Sequence, residues 1–375
     1  MSDTHRRYCA IKAALRQVIA VTANSHAENH LNTLTALVCG IAGAQHSQLP
    51  KVADQAPSQG AKRESRLKRF KRWVMQTSVT YETYYLPFAQ AVLKALARQP
   101  LVLVMDGSTV GRGCLALLLS VVYQHRALPL AWVVVKGVKG HFPEDTHCRL
   151  VAQVQPLLPA NATVIFVGDG EFDGTTLQAT LHDYGWHYVC RTAASTLLWL
   201  GDFAIHFAQL PVTRGEGIEV PDARITAKAY GPVQALGVWE DDTKEAIYLV
   251  TTLTEPQVAV DWYRKRFRIE TFFSDQKSRG FHLHQSHLAD PSRLARLLIA
   301  ACLAYLWMIY LGTVAVADGW MPRFQRATRC DLSLFQLGLT FLAHCLNEDL
   351  PILVDFLPDS DGSLDPFQSH IFSVR

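Results

Sequence analysis

The chain has 375 residues and a mass of 41.8 kDa, a length that predicts two or three domains at roughly 150 residues each. Its 49% hydrophobic and 18% charged residues exclude disorder, and a chain of this size needs no disulfide staple. A net charge of +3 does not by itself mark a nucleic-acid binder, but the charge is unevenly spread. Lys62 to Arg72 holds seven Lys or Arg against one acid, Glu64, whereas Glu348 to Asp365 holds six acids and no base. The eight cysteines include no CxxC pair, which argues against a zinc site and for reduced thiols in a cytoplasm. The first residues lack the apolar run of a signal peptide.

In chain order, residues 1 to about 47 read as short helices, with Leu31, Leu34, Leu37 and Val38 at helical spacing. Gln48 to Gly60, with two prolines, reads as a loop. The basic stretch then runs into Phe70, Trp73 and Val74, which predicts a helix with one apolar and one cationic face. A solvated face is the bland reading. Contact with a DNA backbone through Arg66, Lys68, Arg69 and Arg72 is the sharper one, favoured by the interleaved aromatics.

Leu101 to Met105 reads as a buried strand ending in Asp106-Gly107-Ser108. Cys114–Tyr123 and Leu130–Lys136 are further strands separated by a turn at His125 to Pro129, followed by a helix from His147 to Leu158. Ala162 to Val167 is a strand ending in Asp169, Phe172 to Tyr184 a helix, and Trp186 to Arg191 a fifth strand. This order predicts an α/β sheet with an antiparallel hairpin edge and helical crossovers. From Ala194 to Ala246, glycines and prolines punctuate short β-prone runs, as in a β-rich insertion. Ile247 to Leu253 is another strand, and Gln257 to Gly280 reads as one long helix. Leu297 to Ala317 has 21 residues without a charge, long enough to span a bilayer. Its Cys302, Tyr305, Trp307, Tyr310 and Thr313 favour instead a helix buried on every side in a soluble core, with Arg293 and Arg296 left near solvent or DNA. A basic linker (Arg323, Arg326, Arg329), a helix near Leu332 to Leu346 and an acidic tail complete the chain.

Asp106 and Asp169 each follow an apolar strand. Asp-Gly after a strand is ordinary turn chemistry, but neighbouring strands ending in Asp also bring two hard oxygen ligands together, suited to Mg²⁺ or Mn²⁺. Asp169-Gly170-Glu171-Phe172-Asp173-Gly174 mimics the start of a calcium loop. A strand precedes it, however, and Thr180 stands at the twelfth position where that loop needs Glu. On an ideal helix Tyr263, Arg266, Glu270 and Lys277 fall within an arc of about 60°. That face carries one carboxylate among cations, with Arg264, Lys265 and Arg268 nearby, as metal-assisted phosphodiester chemistry requires.

Here the chain resembles the DDE transposases of the insertion-sequence-four family. Tyr263, Arg266, Glu270 and Lys277 match that family's Tyr-x2-Arg-x3-Glu-x6-Lys spacing over 15 residues. The resemblance covers about Leu101 to Ala317. It implies an RNase H-like mixed sheet with flanking helices, interrupted by a β-rich insertion and preceded by a helical N-terminal DNA-binding region. The corresponding segments are 1–95, 96–193, 194–246, 247–320 and 321–375. It further implies Asp106, Asp169 and Glu270 as catalytic ligands of two divalent ions, Mg²⁺ with Mn²⁺ as an alternative. Arg266 and Lys277 would clamp phosphates near the cleaved bond, and Tyr263 would bond a phosphate or pack on a sugar. Trp199 and Trp239 of the insertion are candidates to hold a flipped base. The implied activity is cut-and-paste transposition at the nucleoid of a prokaryotic cytoplasm, with double-stranded inverted-repeat ends and target DNA as partners. A homodimer would act in the DNA complex, with no membrane involved. Two alternatives stay open: an inactive DNA-binding repressor, and an RNase H-like nuclease without strand transfer. Many family members carry Arg directly after the second Asp. This chain has Gly170 there.

Overall fold

The computed structural model describes residues 2–20, 25–58, 60–137, 140–324 and 332–357. Arg326 and Arg329 of the basic linker, and Asp359, Asp361 and Asp365 of the acidic tail, lie outside the described residues.

The strands are β1 (Leu101–Val110), β2 (Cys114–Tyr123), β3 (Arg126–Lys136), β4 (Val164–Gly168) and β5 (His187–Thr192), then β6 (Leu197–Leu200), β7 (Phe203–His206), β8 (Gly217–Ile225), β9 (Tyr230–Val238) and β10 (Ile247–Thr251). Among the described residues they form one ten-stranded sheet in the order β3-β2-β1-β4-β5-β10-β9-β8-β6-β7. β1, β2 and β3 are antiparallel neighbours, while β4 runs parallel to β1 and β5 parallel to β4. This is the mixed sheet of the RNase H-like fold. The strands of the insertion do not form a sheet of their own. β10 pairs with β5 and β9 with β10, so β6 to β9 prolong the central sheet.

Several boundaries differ from those read in the sequence. β1 does not stop at Met105. It continues through Asp106 to Val110 because β2 pairs with it along that length, Asp106 facing Leu118. The turn before β3 is only Gln124 and His125, with Gln124 at φ 49°. Pro129 therefore lies inside β3, beside a register shift, which an outermost strand tolerates because a ladder bond is needed on one side only. The outer carbonyls of Pro129 and Leu130 accept hydrogen bonds from the Tyr85 and Tyr81 hydroxyls, both at 2.6 Å, so this edge is covered.

The N-terminal region has two long helices, α1 (Asp3–Val18) and α2 (Ser25–Ala44), then α3 (Leu49–Gln55) inside the expected loop. Pro50 sits in the first turn, where its missing N–H costs nothing, and Val52 and Ala53 are buried. α4 (Arg63–Met75) buries Phe70, Trp73 and Val74, as its amphipathic pattern predicts. α5 (Tyr81–Tyr84) and α6 (Leu86–Leu96) lead into β1, while α7 (Glu144–Val154) and α8 (Thr175–Asp183) flank β4.

The long helix expected from Gln257 is broken. α9 (Pro256–Tyr263) passes into a 3₁₀ turn, Arg264–Phe267, before α10 (Arg268–Gln276). The arc drawn for an unbroken helix therefore does not hold, because a 3₁₀ turn advances about 120° per residue. α11 (Pro291–Ala317) is the core helix predicted: 89% of its most apolar stretch is buried inside the protein. Asp290 caps its start, accepting the Arg293 N–H at 2.9 Å, and Gly319 at φ 70° follows its end. Arg293 is exposed, but Arg296 is not left to solvent. Its guanidinium donates to the Val74 and Val79 carbonyls at 3.1 and 3.2 Å, closing the end of α4.

After α12 (Met321–Phe324), α13 (Leu334–Asn347) opens on a capping box between Ser333 and Gln336. It crosses α11 at Gly312 and Gly338. A Cβ at Gly338 would stand 2.8 Å from the Met308 carbonyl carbon and 3.1 Å from Gly312 N, so only glycine lets the backbones meet.

Candidate active site

The parallel register fixes where the two aspartates stand. Val104 of β1 is level with Val167 of β4. Asp106 and Asp169 each lie two residues further on, so the period of two puts both on one face, on strands about 4.8 Å apart. Both are beyond the end of the parallel ladder, where an α/β sheet opens a crevice.

Asp106 Oδ1 accepts the Gly107 N–H at 2.7 Å. Burial pushes its carboxyl up to about 7. The Gly107 N–H and Arg266 work against that rise, and the nearby Asp169 and Glu270 charges add to it. Asp169 Oδ1 accepts the Glu171 N–H at 3.0 Å, a local turn that fixes its rotamer. The third acid arrives through Arg266, whose side chain is 12% exposed. One guanidinium nitrogen lies 3.8 Å from Asp169 Oδ2, and another donates to Glu270 Oε1 at 3.1 Å. The 3₁₀ turn aims Arg266 at β4 while keeping its link to Glu270 one helical turn on. Arg266 Nε is buried without a hydrogen-bond partner.

The other signature residues divide. Lys277 Nζ donates to Ser108 Oγ at 2.5 Å, reaching the β1 face that carries Asp106. Burial lowers the Lys277 pKa, with the Asp106 charge opposing. Tyr263 is 6% exposed, so its ring is not presented to a ligand as the sequence reading expected. Burial raises its pKa against the pull of Arg266 and Arg191. Among the described residues no three His, Cys, Asp or Glu side chains stand close enough together to hold a metal ion. Glu270 is turned to Arg266.

Of the basic helix, Lys68 and Arg72 are exposed. Arg66 is engaged inside the protein, donating to the Ala53 and Ala61 carbonyls at 3.0 and 2.8 Å. Arg69 is partly covered, and burial lowers its pKa. Trp199 donates its indole N–H to Thr226 O at 2.8 Å, a packing role. Trp239 borders a cleft of about 800 Å³ that also holds Glu216, Glu219, Glu240, Asp241 and Asp242. Five acids repel a phosphate backbone, and Arg264 in that cleft is already paired with Glu240 and Asp261.

The sequence reading passed over Ser108, although the period of two from Asp106 puts it on the same face. It met Glu171 only as part of a false calcium loop.

Fold and site together define an RNase H-like α/β protein with acidic residues gathered where its parallel strands end. The family described as "Transposase DDE domain" matches residues 92–307, more than half of the chain, and the chain belongs to it. Its fold can be laid on a cryo-EM structure of the piggyBac transposase synaptic complex with hairpin DNA. That match has 10% identity and a TM-score of 0.45, covering 97% of this chain and 85% of that one. A crystal structure of human ENDOV matches at 17% identity and a TM-score of 0.26, covering 57% of this chain and 96% of that one. No curated protein is similar to the chain in sequence.

Proposed function

We propose that this transposase is a cut-and-paste enzyme of the insertion-sequence-four type. It binds the inverted-repeat ends of its element as a dimer, cleaves the DNA and joins the 3′ ends to a target. The observation that carries the proposal is that Asp106 and Asp169 each stand two residues past Val104 and Val167, the last parallel pair of β1 and β4, with Glu270 tied to Asp169 through Arg266.

The donor chemistry fits hard divalent ions such as Mg²⁺ or Mn²⁺. Asp106 within β1 and Asp169 just after β4 offer oxygen ligands, and burial, with the Asp169 and Glu270 charges adding, raises the Asp106 carboxyl to about 7, so a bound cation would favour its charged form. Glu270 joins them by turning away from Arg266. When bound, the ions activate the attacking oxygen and stabilise the leaving 3′ oxygen of an in-line displacement. Arg266 keeps two mutually repelling carboxylates together and, once Glu270 leaves it, offers its guanidinium to a phosphate. Lys277 is held by a neutral hydroxyl and not by a carboxylate, so its charge remains available to an incoming phosphate.

The test is Mg²⁺-dependent cleavage and 3′-end joining on DNA carrying the repeats that flank the coding sequence. Glu270→Gln should reduce cleavage to background while keeping fold and end binding, because a neutral amide is a poor ligand. Asp106→Asn and Asp169→Asn should do the same, and combining them should cost little more than one alone. Wild-type cleavage by Glu270→Gln would refute the site. Cleavage without joined product would leave a nuclease.

A further inference from the structure

We infer that Glu171 is a positioning residue that sets Asp106 and Asp169 at the separation a divalent ion needs. This rests on the reading of those aspartates as metal ligands. Glu171 follows Asp169 by two residues, and its own N–H is the donor that fixes Asp169 Oδ1. Its carboxylate turns away from the crevice and is 14% exposed. Oε1 accepts the Phe142 backbone N–H at 2.7 Å, and Oε2 lies 3.1 Å from His141 Nδ1. His147 Nε2, itself 2% exposed, stands 3.5 Å from Oε1. With both oxygens engaged, Glu171 is not a further ligand.

What it holds matters because the Phe142 ring lies on Gly107. A Cβ built at Gly107 would stand 3.0 Å from Phe142 Cε2, so ring and backbone are in direct contact. The Gly107 N–H is in turn the donor to Asp106 Oδ1. Glu171 therefore reaches Asp169 through its backbone, and Asp106 through Phe142 and Gly107. The segment has little slack at its far end: Asp173 Oδ2 accepts the Thr192 hydroxyl at 2.7 Å, and Glu144 Oε1 accepts the Leu177 N–H at 2.9 Å. Phe172 between them is fully buried. A carboxylate separation set this way is a geometric requirement on the ion, and outer interactions of this kind govern affinity by about 10- to 100-fold.

The experiment is Mn²⁺ binding to the full chain without DNA, followed by electron paramagnetic resonance, with urea unfolding in parallel. Glu171→Ala should weaken Mn²⁺ binding about 10- to 100-fold. Glu171→Gln, whose amide oxygen still accepts the Phe142 N–H, should recover most of that affinity. Phe142→Ala leaves Glu171 in place but removes the ring from Gly107, and should weaken Mn²⁺ binding as well. It decides the matter if Glu171→Ala does not fold. Asp169→Asn is the reference. Abolished Mn²⁺ binding in Asp169→Asn beside wild-type affinity in Phe142→Ala and Glu171→Ala would overturn the positioning role alone. Wild-type affinity in Asp169→Asn would overturn the carboxylate reading itself.

Discussion

Replacing Gly338 by Ala tests whether the crossing of α11 and α13 supports α10, the helix that carries Glu270. The added methyl would lie 2.8 Å from the Met308 carbonyl carbon, and carbon atoms pack at about 3.5–4.0 Å, so α13 must retreat by roughly 1 Å. A gap of that size forfeits up to about half of the dispersion energy between each pair of facing atoms, and α13 buries Leu334, Phe335, Leu337, Phe341, Leu342 and Cys345. Overpacking of this kind costs about 1–3 kcal/mol, while the better helix propensity of Ala returns about 1 kcal/mol. Because the atom nearest that methyl is the Met308 backbone carbonyl oxygen, which cannot swing aside, the overpacking cost falls at about 2–3 kcal/mol, and a net destabilisation of about 1–2 kcal/mol follows. The loosening also reaches α10, because Phe335 stacks on Tyr305 at 5.6 Å and Tyr305 meets Phe272, two residues from Glu270, at 4.9 Å. Urea unfolding read by tryptophan fluorescence is a suitable assay, with the buried Trp307 of α11 as a reporter beside the other tryptophans. Gly319→Ala is the control. It also disturbs a glycine, at φ 70°, but a Cβ there meets no atom within 4 Å, so its cost is backbone strain alone. A Gly338→Ala protein as stable as the wild type would refute the close-approach argument.

Two other outcomes follow from single side chains. Neutralising exposed Lys68 and Arg72 should flatten the salt dependence of DNA-end binding by about 0.9 for each phosphate they no longer neutralise, whereas Arg66→Ala should lower stability because its guanidinium joins α4 to the Ala53 and Ala61 carbonyls. An unchanged salt slope would make the basic run a solvated face. Burial holds the His46 pKa below its usual value, Lys51, His282 and His284 lower it further, and only Gln285 opposes. Protons then bind the unfolded chain first, so this contribution to stability is complete above about 6.5 and is lost as pH falls below it. His46→Gln should flatten the decline in urea midpoint between pH 7.5 and 5.5, and an undiminished decline would rule His46 out as its source.

β1 and β4 are legible because each opens as a short apolar run closed by Asp or by Gly-Asp, a local signal that needs no partner, and β5 because its β-prone residues follow the turn at Gly185. What went astray depended on partners. β1 was cut short at Asp106 because Asp-Gly-Ser is turn chemistry, yet pairing with β2 carries the strand to Val110. The break at Arg264 has no trace in the apolar periodicity, and it accompanies a long-range approach of Arg266 to Asp169 that local sequence does not encode. The insertion showed its β content but not its attachment, because the pairing of β10 with β5 is fixed by position in space. Among the candidate residues, spacing puts Asp106 and Ser108 on one face of β1, which Lys277 reaches. Spacing does not reveal burial, and so Tyr263 was drawn at a surface it does not reach.

The place of α11 along the chain bears on how the protein is made. Among the described residues all ten strands precede Pro291, so a ribosome releases that sheet before the one described helix long and apolar enough to pass for a membrane span. Domains commonly fold as units while synthesis continues, so that stretch can meet a preformed apolar surface instead of water or a bilayer. Its last cover, α13, follows within about thirty residues, only seconds later at ordinary rates of elongation. Anything that delays sheet closure, a weakened β10–β5 seam for instance, would leave α11 without a landing surface. Such a variant would succumb to aggregation or membrane mistargeting with Asp106, Asp169 and Glu270 all unchanged.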